Sequence, residues 1–183
     1  RDLVRSRGLG DVYKRQGSIM GSETTAAATG QVGVIRRDPM AMLPFCGYNM
    51  GDYWKHWIEI GESLDEDKAP KIFNVNWFRK DDEGNFLWPG FGDNLRVLDW
   101  IIDRCEGKVD AQETAIGYLP YAKDINLEGL DMTEADLEKI LDVDKDAWKE
   151  ELKGVDELYA KFGDKLPKEL SDVLNEVKSN LDK

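Results

Sequence analysis

The sequence contains few side chains that bind metal ions through nitrogen or sulfur. Its 183 residues include one histidine, His56, and two cysteines, Cys46 and Cys105, which lie far apart and lack metal-site spacing. His56 falls on a predicted amphipathic helix, where a lone histidine is more often structural than a ligand. With no signal peptide, the two cysteines indicate reduced thiols in a cytoplasmic protein. Cys46 is expected to be a buried hydrophobic residue, and no metal site is expected.

Basic residues and long apolar runs are also scarce. Lysine and arginine number 25 against 37 acidic residues, which gives a net charge of −12 and argues against binding to a nucleic-acid backbone. No apolar run is long enough to span a membrane. The phosphate-loop pattern G-x-x-x-x-G-K-[ST] is absent as well. A hydrophobic content of 41% with 34% charged residues is typical of one soluble globular domain.

The most informative segment is rich in aromatic residues and covers residues 73–94. An apolar run at 71–78, turn residues at 81–85 and a second apolar run at 86–88 predict a β-hairpin, which Pro89 and Gly90 end. From Asn94 the apolar residues recur at helical spacing, so a helix is predicted with Asp93 or Asn94 as its N-cap. Gly107 is expected to mark the end of that helix.

Two interpretations of these aromatic residues remain open. A phenylalanine such as Phe91, on a loop beside a helix N-terminus, can stack on the face of a base, and the amide of Asn94 can match the edge of one base. That combination predicts a purine site. Alternatively, the aromatic side chains form the core of a hairpin packed on a helix. Trp77 and Trp88 are expected in the core in either case.

The two ends of the chain differ in character. Residues 1–16 look like a translated sequencing adapter, are unrelated to the rest and are left out of the predicted fold, so the predicted domain covers residues 17–183. The last fifty residues predict helices that begin after Thr133, after Asp144 and at Pro167, with Gly163 ending the second. Thr133 and Asp136 have the spacing of a capping pair. The charged faces of these helices are most simply solvated surface.

Several long motifs together resemble one known family. The runs 76–80, 86–94 and 96–100 closely resemble the GTP-dependent phosphoenolpyruvate carboxykinases, and residues 37–51, 116–120 and 127–130 are similar to further parts of the same family. Residues 20–30 look like the mobile Ω-loop lid of these enzymes. Many family members have arginine where this chain has Gly21, so contacts of that arginine are not expected here. The resemblance implies an α/β fold: the C-terminal part of the nucleotide-binding domain, with mixed β-sheet elements followed by a helical C-terminus.

The resemblance also implies roles for particular residues. The guanine of GTP is expected to contact the aromatic residues and the loop that precedes the helix, namely Phe78, Phe86, Phe91, Gly92, Asp93 and Asn94. The lid is expected to comprise Ser22, Glu23, Thr24, Thr25, Ala26, Ala27, Ala28, Thr29 and Gly30. Its small side chains bury little surface, so bound substrate would have to drive its closure. Phe45 is a candidate wall of the active site.

The implied activity belongs to a longer enzyme. The family converts oxaloacetate and GTP to phosphoenolpyruvate, GDP and carbon dioxide in gluconeogenesis, uses Mn²⁺ or Mg²⁺, and is usually monomeric. Its phosphate loop, metal ligands and substrate arginines precede the segment matched here. No catalytic residue is therefore expected in this cytoplasmic fragment, which is predicted to be inactive alone. The alternatives are a non-catalytic guanine-nucleotide binding module and a structural protein whose aromatic residues are all core.

Overall fold

The computed structural model describes residues 4–5, 17–23, 35–39, 42–65, 68–77 and 79–183, and shows a mixed α/β chain. It divides into two compact units, the first comprising residues 1–7 and 71–144 and the second residues 8–70 and 145–183. The strands in the described residues are β1 (Val4–Arg5), β2 (Gly21–Glu23), β3 (Ile35–Arg37), β4 (Asn74–Val75), β5 (Gln112–Thr114) and β6 (Gly117–Leu119). The α-helices there are α1 (Met50–Ser63), α2 (Asn94–Cys105), α3 (Glu134–Leu141), α4 (Lys145–Ala160) and α5 (Lys168–Leu181).

The described strands form three separate antiparallel pairs. In the first unit β1 pairs with β4, and β5 pairs with β6 through a tight connection. In the second unit β2 pairs with β3. The α/β class and the helical C-terminus therefore agree with the sequence, although the strands are shorter than expected. The backbone of Val4–Arg5, within the leader that was left out of the predicted fold, forms one of these pairs.

The core of the first unit lies beneath helix α2. Val97 and Trp100 on its inner face are buried with Trp88, and with Leu137 and Ile140 of α3. The helix begins at Asn94 and is followed by Gly107, which has a φ of 73° that favours glycine. Its predicted limits are therefore confirmed. Asp93 is the N-cap residue but makes no side-chain capping hydrogen bond.

Helix α3 begins with the capping pair that the sequence predicts. The Thr133 side chain accepts a hydrogen bond from the backbone N–H of Asp136, and the Asp136 carboxylate accepts one from the backbone N–H of Thr133. This reciprocal arrangement satisfies two backbone donors that the helix leaves free. The Thr133 hydroxyl and then the Lys139 ammonium stabilise the ionised carboxylate, which lowers the pKa of Asp136 to about 2.

The predicted hairpin at 71–88 is only partly correct. Its turn is present, since the Asp81 N–H donates to the Asn85 carbonyl, but among the described residues pairing beyond the turn is a single bridge between Lys80 and Phe86. Asn74–Val75 pairs with β1 instead. The second predicted strand is too short to continue the ladder because it reaches Pro89, which has no N–H to donate.

In the second unit, α1 packs against the C-terminal end of α4 and the residues that follow it. The Trp54 ring lies edge-on to Phe162 and Tyr159, with centroid distances of 4.6 Å and 5.8 Å. The Asn49 side chain caps α1 by accepting from the Gly51 N–H at 2.8 Å. Helices α4 and α5 begin directly after Asp144 and Pro167, as predicted, and bury an apolar stripe each.

One expectation about cysteine needs correction. Cys46 is half-buried and its Sγ lies 3.4 Å from the Tyr48 carbonyl oxygen, so it is not a buried hydrophobic residue. A 3₁₀ turn at Leu43–Phe45 directly precedes it and keeps it near the surface. Cys105 is exposed at the end of α2, and both thiols are free.

His56 is exposed on α1. In the described part of the chain, no helix combines the length and apolar character needed to cross a membrane.

Two glycines of α1 provide a matched test of packing in the second unit. A Cβ at Gly51 would lie 2.3 Å from the Lys165 carbonyl oxygen, so Gly51→Ala is expected to destabilise the chain by about 1–3 kcal/mol. A Cβ at Gly61 would meet nothing within 4 Å, so Gly61→Ala is expected to stabilise it by about 0.5–1 kcal/mol. Urea unfolding measures both values. Equal effects of the two substitutions would contradict the close approach at Gly51.

Candidate functional site

The candidate site is the loop that leads into helix α2. Gly90 has a φ of 109°, a conformation that other residues rarely adopt, and it turns the chain out of the Trp88 segment. Phe91–Asp93 then form one 3₁₀ turn, in which the Asp93 N–H donates to the Gly90 carbonyl oxygen at 3.0 Å. Phe91 is thereby placed immediately before the N-terminus of α2.

The aromatic residues of this segment separate into two groups. Trp88 is 2% exposed and belongs to the core, and Trp77 is half-buried against it. Phe91 is 95% exposed and Phe86 is 57% exposed. The interpretation in which all these aromatic residues are core is therefore wrong for Phe86 and Phe91. Phe78 lies outside the described residues.

The turn before Phe86 is held by two hydrogen bonds from Asn85 to the Asp81 side chain. The Asp81 carboxylate accepts from the Asn85 backbone N–H at 2.7 Å and from the Asn85 side-chain amide at 3.1 Å. The Lys80 ammonium lies 4.8 Å from the centroid of the Phe86 ring, which is a cation–π contact. Phe86 is thus positioned by a compact turn although no extended strand supports it.

Asn94 is linked to the core by its side chain. The Trp88 indole N–H donates to the Asn94 Oδ1 atom over 2.9 Å. Trp88 is buried, whereas Asn94 is half-buried, so the bond joins the core to the surface loop. The amide that is predicted to contact the base therefore accepts one hydrogen bond from the core.

Arg96 is a supporting residue that the sequence analysis did not identify. Its Nε donates to the Asp93 carboxylate at 3.0 Å, and its terminal nitrogens donate to the carbonyl oxygens of Asn126 and Glu128 at 2.8 Å and 2.9 Å. Arg96 thus joins the start of α2 to a distant loop. A signal was available, because a cation in the first turn of a helix opposes the helix dipole and therefore needs other partners.

Arg79 supports the other side of the segment and was also missed. Its guanidinium donates to the carbonyl oxygens of Ile140 and Asp142, at the C-terminal end of α3. Carbonyl groups at a helix C-terminus lack partners within the helix and carry partial negative charge. The turn that holds Phe86 is therefore connected to α3 by a charged side chain.

The remaining predicted site residues belong to the second unit. Ser22 and Glu23 lie in β2, which pairs with β3 in the register Ser22 with Arg36 and Glu23 with Ile35. The predicted lid residues Thr24–Gly30 lie outside the described residues, between these two paired strands. Arg37 supports the pair by donating to the Ile19 carbonyl oxygen at 2.8 Å and forming an ion pair with Glu151. Phe45 is 85% exposed.

Among the described residues, no group of three or more histidine, cysteine, aspartate or glutamate side chains is arranged to hold a metal ion. The nearby acidic groups have other partners, since Asp93 accepts from Arg96 and Asp81 accepts from Asn85.

Comparison with known proteins establishes the domain class. The family described as "Phosphoenolpyruvate carboxykinase C-terminal P-loop domain" matches residues 10–180, a range that begins within the predicted leader. The chain belongs to this family. It is 54% identical over 165 residues to the proteins named "Phosphoenolpyruvate carboxykinase [GTP]" of Arthrobacter sp. (strain FB24) and Renibacterium salmoninarum. It is 54% identical over 167 residues to the protein of that name from Treponema pallidum (strain Nichols).

The relatives are much longer than this chain. Each alignment covers 90% of the chain but only 27% of the relative. The family resemblance that the aromatic segment suggested is therefore confirmed over nearly the whole sequence. The roles of individual residues in binding remain predictions.

The pKa of Asp81 tests the turn beneath Phe86. The Asn85 side-chain amide holds this pKa below its ordinary value of 3.8, so ionised Asp81 stabilises the turn above that pH, and the contribution is lost as pH falls through the lowered pKa. Asn85→Ala is expected to raise the Asp81 pKa toward its ordinary value. Carboxyl-carbon NMR titration measures this shift, with Asp136 as an internal control that should keep its pKa of about 2. An unchanged Asp81 pKa would contradict the assigned hydrogen bond.

Proposed function

We propose that this chain is the guanine-binding part of a GTP-dependent phosphoenolpyruvate carboxykinase. The observation that carries the proposal is Phe91, which is 95% exposed immediately before α2 although its neighbour Trp88 is buried. A fully exposed phenylalanine on a constrained loop gains no stability from the core, whereas its ring can stack on a purine. The names of the relatives, which specify GTP, support guanine as the base.

The proposed contacts fall on one segment of the first unit. Phe86 and Phe91 supply ring faces, with Phe78 as a third, and Asn94 supplies an amide for the edge of the base. Gly92 and Asp93 complete the loop, and Asp93 is held by Arg96. The proposal gives this segment recognition of the base, and it gives the segment no chemical step.

The parent enzyme, in this proposal, is cytoplasmic and monomeric and acts on oxaloacetate. Loss of carbon dioxide leaves an enolate oxygen, which then takes the γ-phosphoryl group of GTP to give phosphoenolpyruvate and GDP. The Mn²⁺ or Mg²⁺ of the family would be held by other parts of the enzyme, and the described residues contain no group of three or more potential ligand side chains. Residues 22–30 would form a lid that closes over the substrates and excludes water. The β2–β3 pair would be the stem of this lid.

Phe91→Ala tests the stacking contact. This substitution is expected to weaken GTP binding by about 1–3 kcal/mol, the usual loss when an aromatic partner of a base is removed. Because Phe91 is exposed, the melting temperature should change little. Isothermal titration calorimetry measures the affinity. Ile102→Ala, at an exposed apolar position within α2, serves as the control and should leave the affinity unchanged. Equal affinities of the Phe91→Ala and Ile102→Ala variants would contradict the proposal.

The isolated 183-residue chain is expected to have no carboxykinase activity. It lacks the phosphate-loop pattern, and its described residues contain no metal-binding group. A coupled assay for GTP-dependent formation of phosphoenolpyruvate measures this, with the full-length Arthrobacter relative as the positive control. Activity of the chain alone would refute the proposal that this segment recognises the base and performs no chemical step.

Comparison of GMP with GTP separates the proposal from a non-catalytic guanine-nucleotide module. Recognition through the base alone predicts similar affinities for the two nucleotides. Much tighter binding of GTP would show that the chain holds the phosphates itself and would favour such a module.

A further inference from the structure

Helix α2 carries a second apolar face, opposite the face that it buries in the core. Val97 and Trp100 belong to the inner face and are buried. Leu95, Leu98 and Ile102 lie on the outer face, where they are 63%, 44% and 51% exposed. Their spacing of three and four residues aligns them in one row along the helix, here termed the outer stripe. A helix that is apolar on both faces is typical of the interior of a protein.

The outer stripe is continued by the residues at both of its ends. Phe91, which is exposed, precedes Leu95 by four positions, and Cys105, with an exposed free thiol, follows Ile102 by three. These positions alternate in steps of four and three, which is the repeat by which one helix packs along a neighbouring element. The stripe therefore extends from the candidate base-binding loop to the C-terminal end of α2.

A second copy of the chain is a poor occupant of the outer stripe. Asp99 and Glu106 are exposed along one side of it, so antiparallel pairing of two α2 helices would bring like charges together. Three partly exposed aliphatic side chains from each copy also bury much less than the roughly 1,200 Å² of a stable interface between separate proteins. So small a face suffices where both parts belong to one chain, because their association then costs little translational and rotational freedom.

The comparisons indicate which covalently joined part would cover the stripe. Nearly three quarters of each relative lies outside the alignment. The matched family is described as a P-loop domain, although the chain contains no phosphate-loop pattern. On the proposed function, a further part of the enzyme holds the phosphates of a nucleotide whose base contacts Phe91. Because Phe91 begins the outer stripe, a part that reaches those phosphates also lies next to α2.

We infer, from the exposed stripe, the length of the relatives and the proposed function, that the outer stripe of α2 is the surface on which the phosphate-binding part of the parent enzyme packs. The occupant is a surface of the same polypeptide chain with apolar side chains at its centre. A basic group on that surface would complement Asp99. Leu95, Leu98 and Ile102 thus join two parts of the enzyme and make no contact with the nucleotide.

Two aliphatic positions of similar exposure allow a matched test by thiol labelling. Leu98 belongs to the outer stripe, whereas Ile60 lies on α1 and is 46% exposed, close to the 44% of Leu98. Leu98→Cys and Ile60→Cys are each prepared in the 183-residue chain. Each is also prepared in a chimera, in which the 165 aligned residues of this chain replace the matching quarter of the Arthrobacter relative.

Mass spectrometry of the peptide that carries the new thiol measures its rate of reaction with iodoacetamide. In the 183-residue chain, Leu98→Cys and Ile60→Cys should react at similar rates because both positions are exposed. In the chimera the rate at position 98 should fall by about tenfold or more, since a covered thiol reacts only when the interface opens, and the rate at position 60 should not change. Equal rates at position 98 in the chain and the chimera, or an equal fall at both positions, would overturn the inference.

A second comparison keeps the test valid if the chimera fails to fold. The full-length Arthrobacter relative is given cysteine at the positions aligned with Leu98 and Ile60, and the same difference in labelling rate is expected. Slow labelling of Leu98→Cys in the 183-residue chain, together with a dimer in analytical ultracentrifugation, would identify a second copy as the occupant and overturn the inference. Labelling uses no nucleotide, so failure of the chain to bind GTP would overturn the proposed function and leave the labelling pattern unchanged.

Discussion

The burial of Trp88 beneath the loop at residues 89–94 is the constraint on which the candidate site depends. Its indole fills the core between α2 and α3, so the backbone must leave the core within two residues, and Gly90 provides the turn with a φ of 109°. The next residue, Phe91, then has no core to enter. Its exposure is therefore a consequence of how the buried tryptophan and the glycine direct the chain.

Two arginines stabilise this arrangement by binding backbone carbonyl groups. Arg79 donates to the carbonyls at the end of α3, and Arg96 donates to those of Asn126 and Glu128. Loops carry backbone groups that no regular ladder satisfies, and a guanidinium can bind several of them at once. Both arginines thus hold in place a segment that has almost no β-structure of its own.

Much of this fold could be predicted from the sequence where the pattern is local. The limits of α2 and the Thr133 capping pair depend on residues a few positions apart, and both are present as predicted. The predicted length of the hairpin was wrong because the strand partner of Asn74–Val75 lies about seventy residues away in sequence. Burial of Trp88 was expected and is present, whereas the position of Phe91 stayed open between two interpretations, since an irregular loop has no period that assigns its side chains to a face.

The charges of the site explain why recognition would depend on the base. The chain has a net charge of −12, which repels a nucleotide triphosphate. The cations next to the loop are already engaged, Arg96 with Asp93 and two carbonyl groups, and Lys80 with the Phe86 ring. Binding of phosphates here would require breaking those contacts. Ring stacking and one oriented amide require no such rearrangement, so on the proposed function this segment distinguishes the base and leaves the phosphates to other parts of the enzyme.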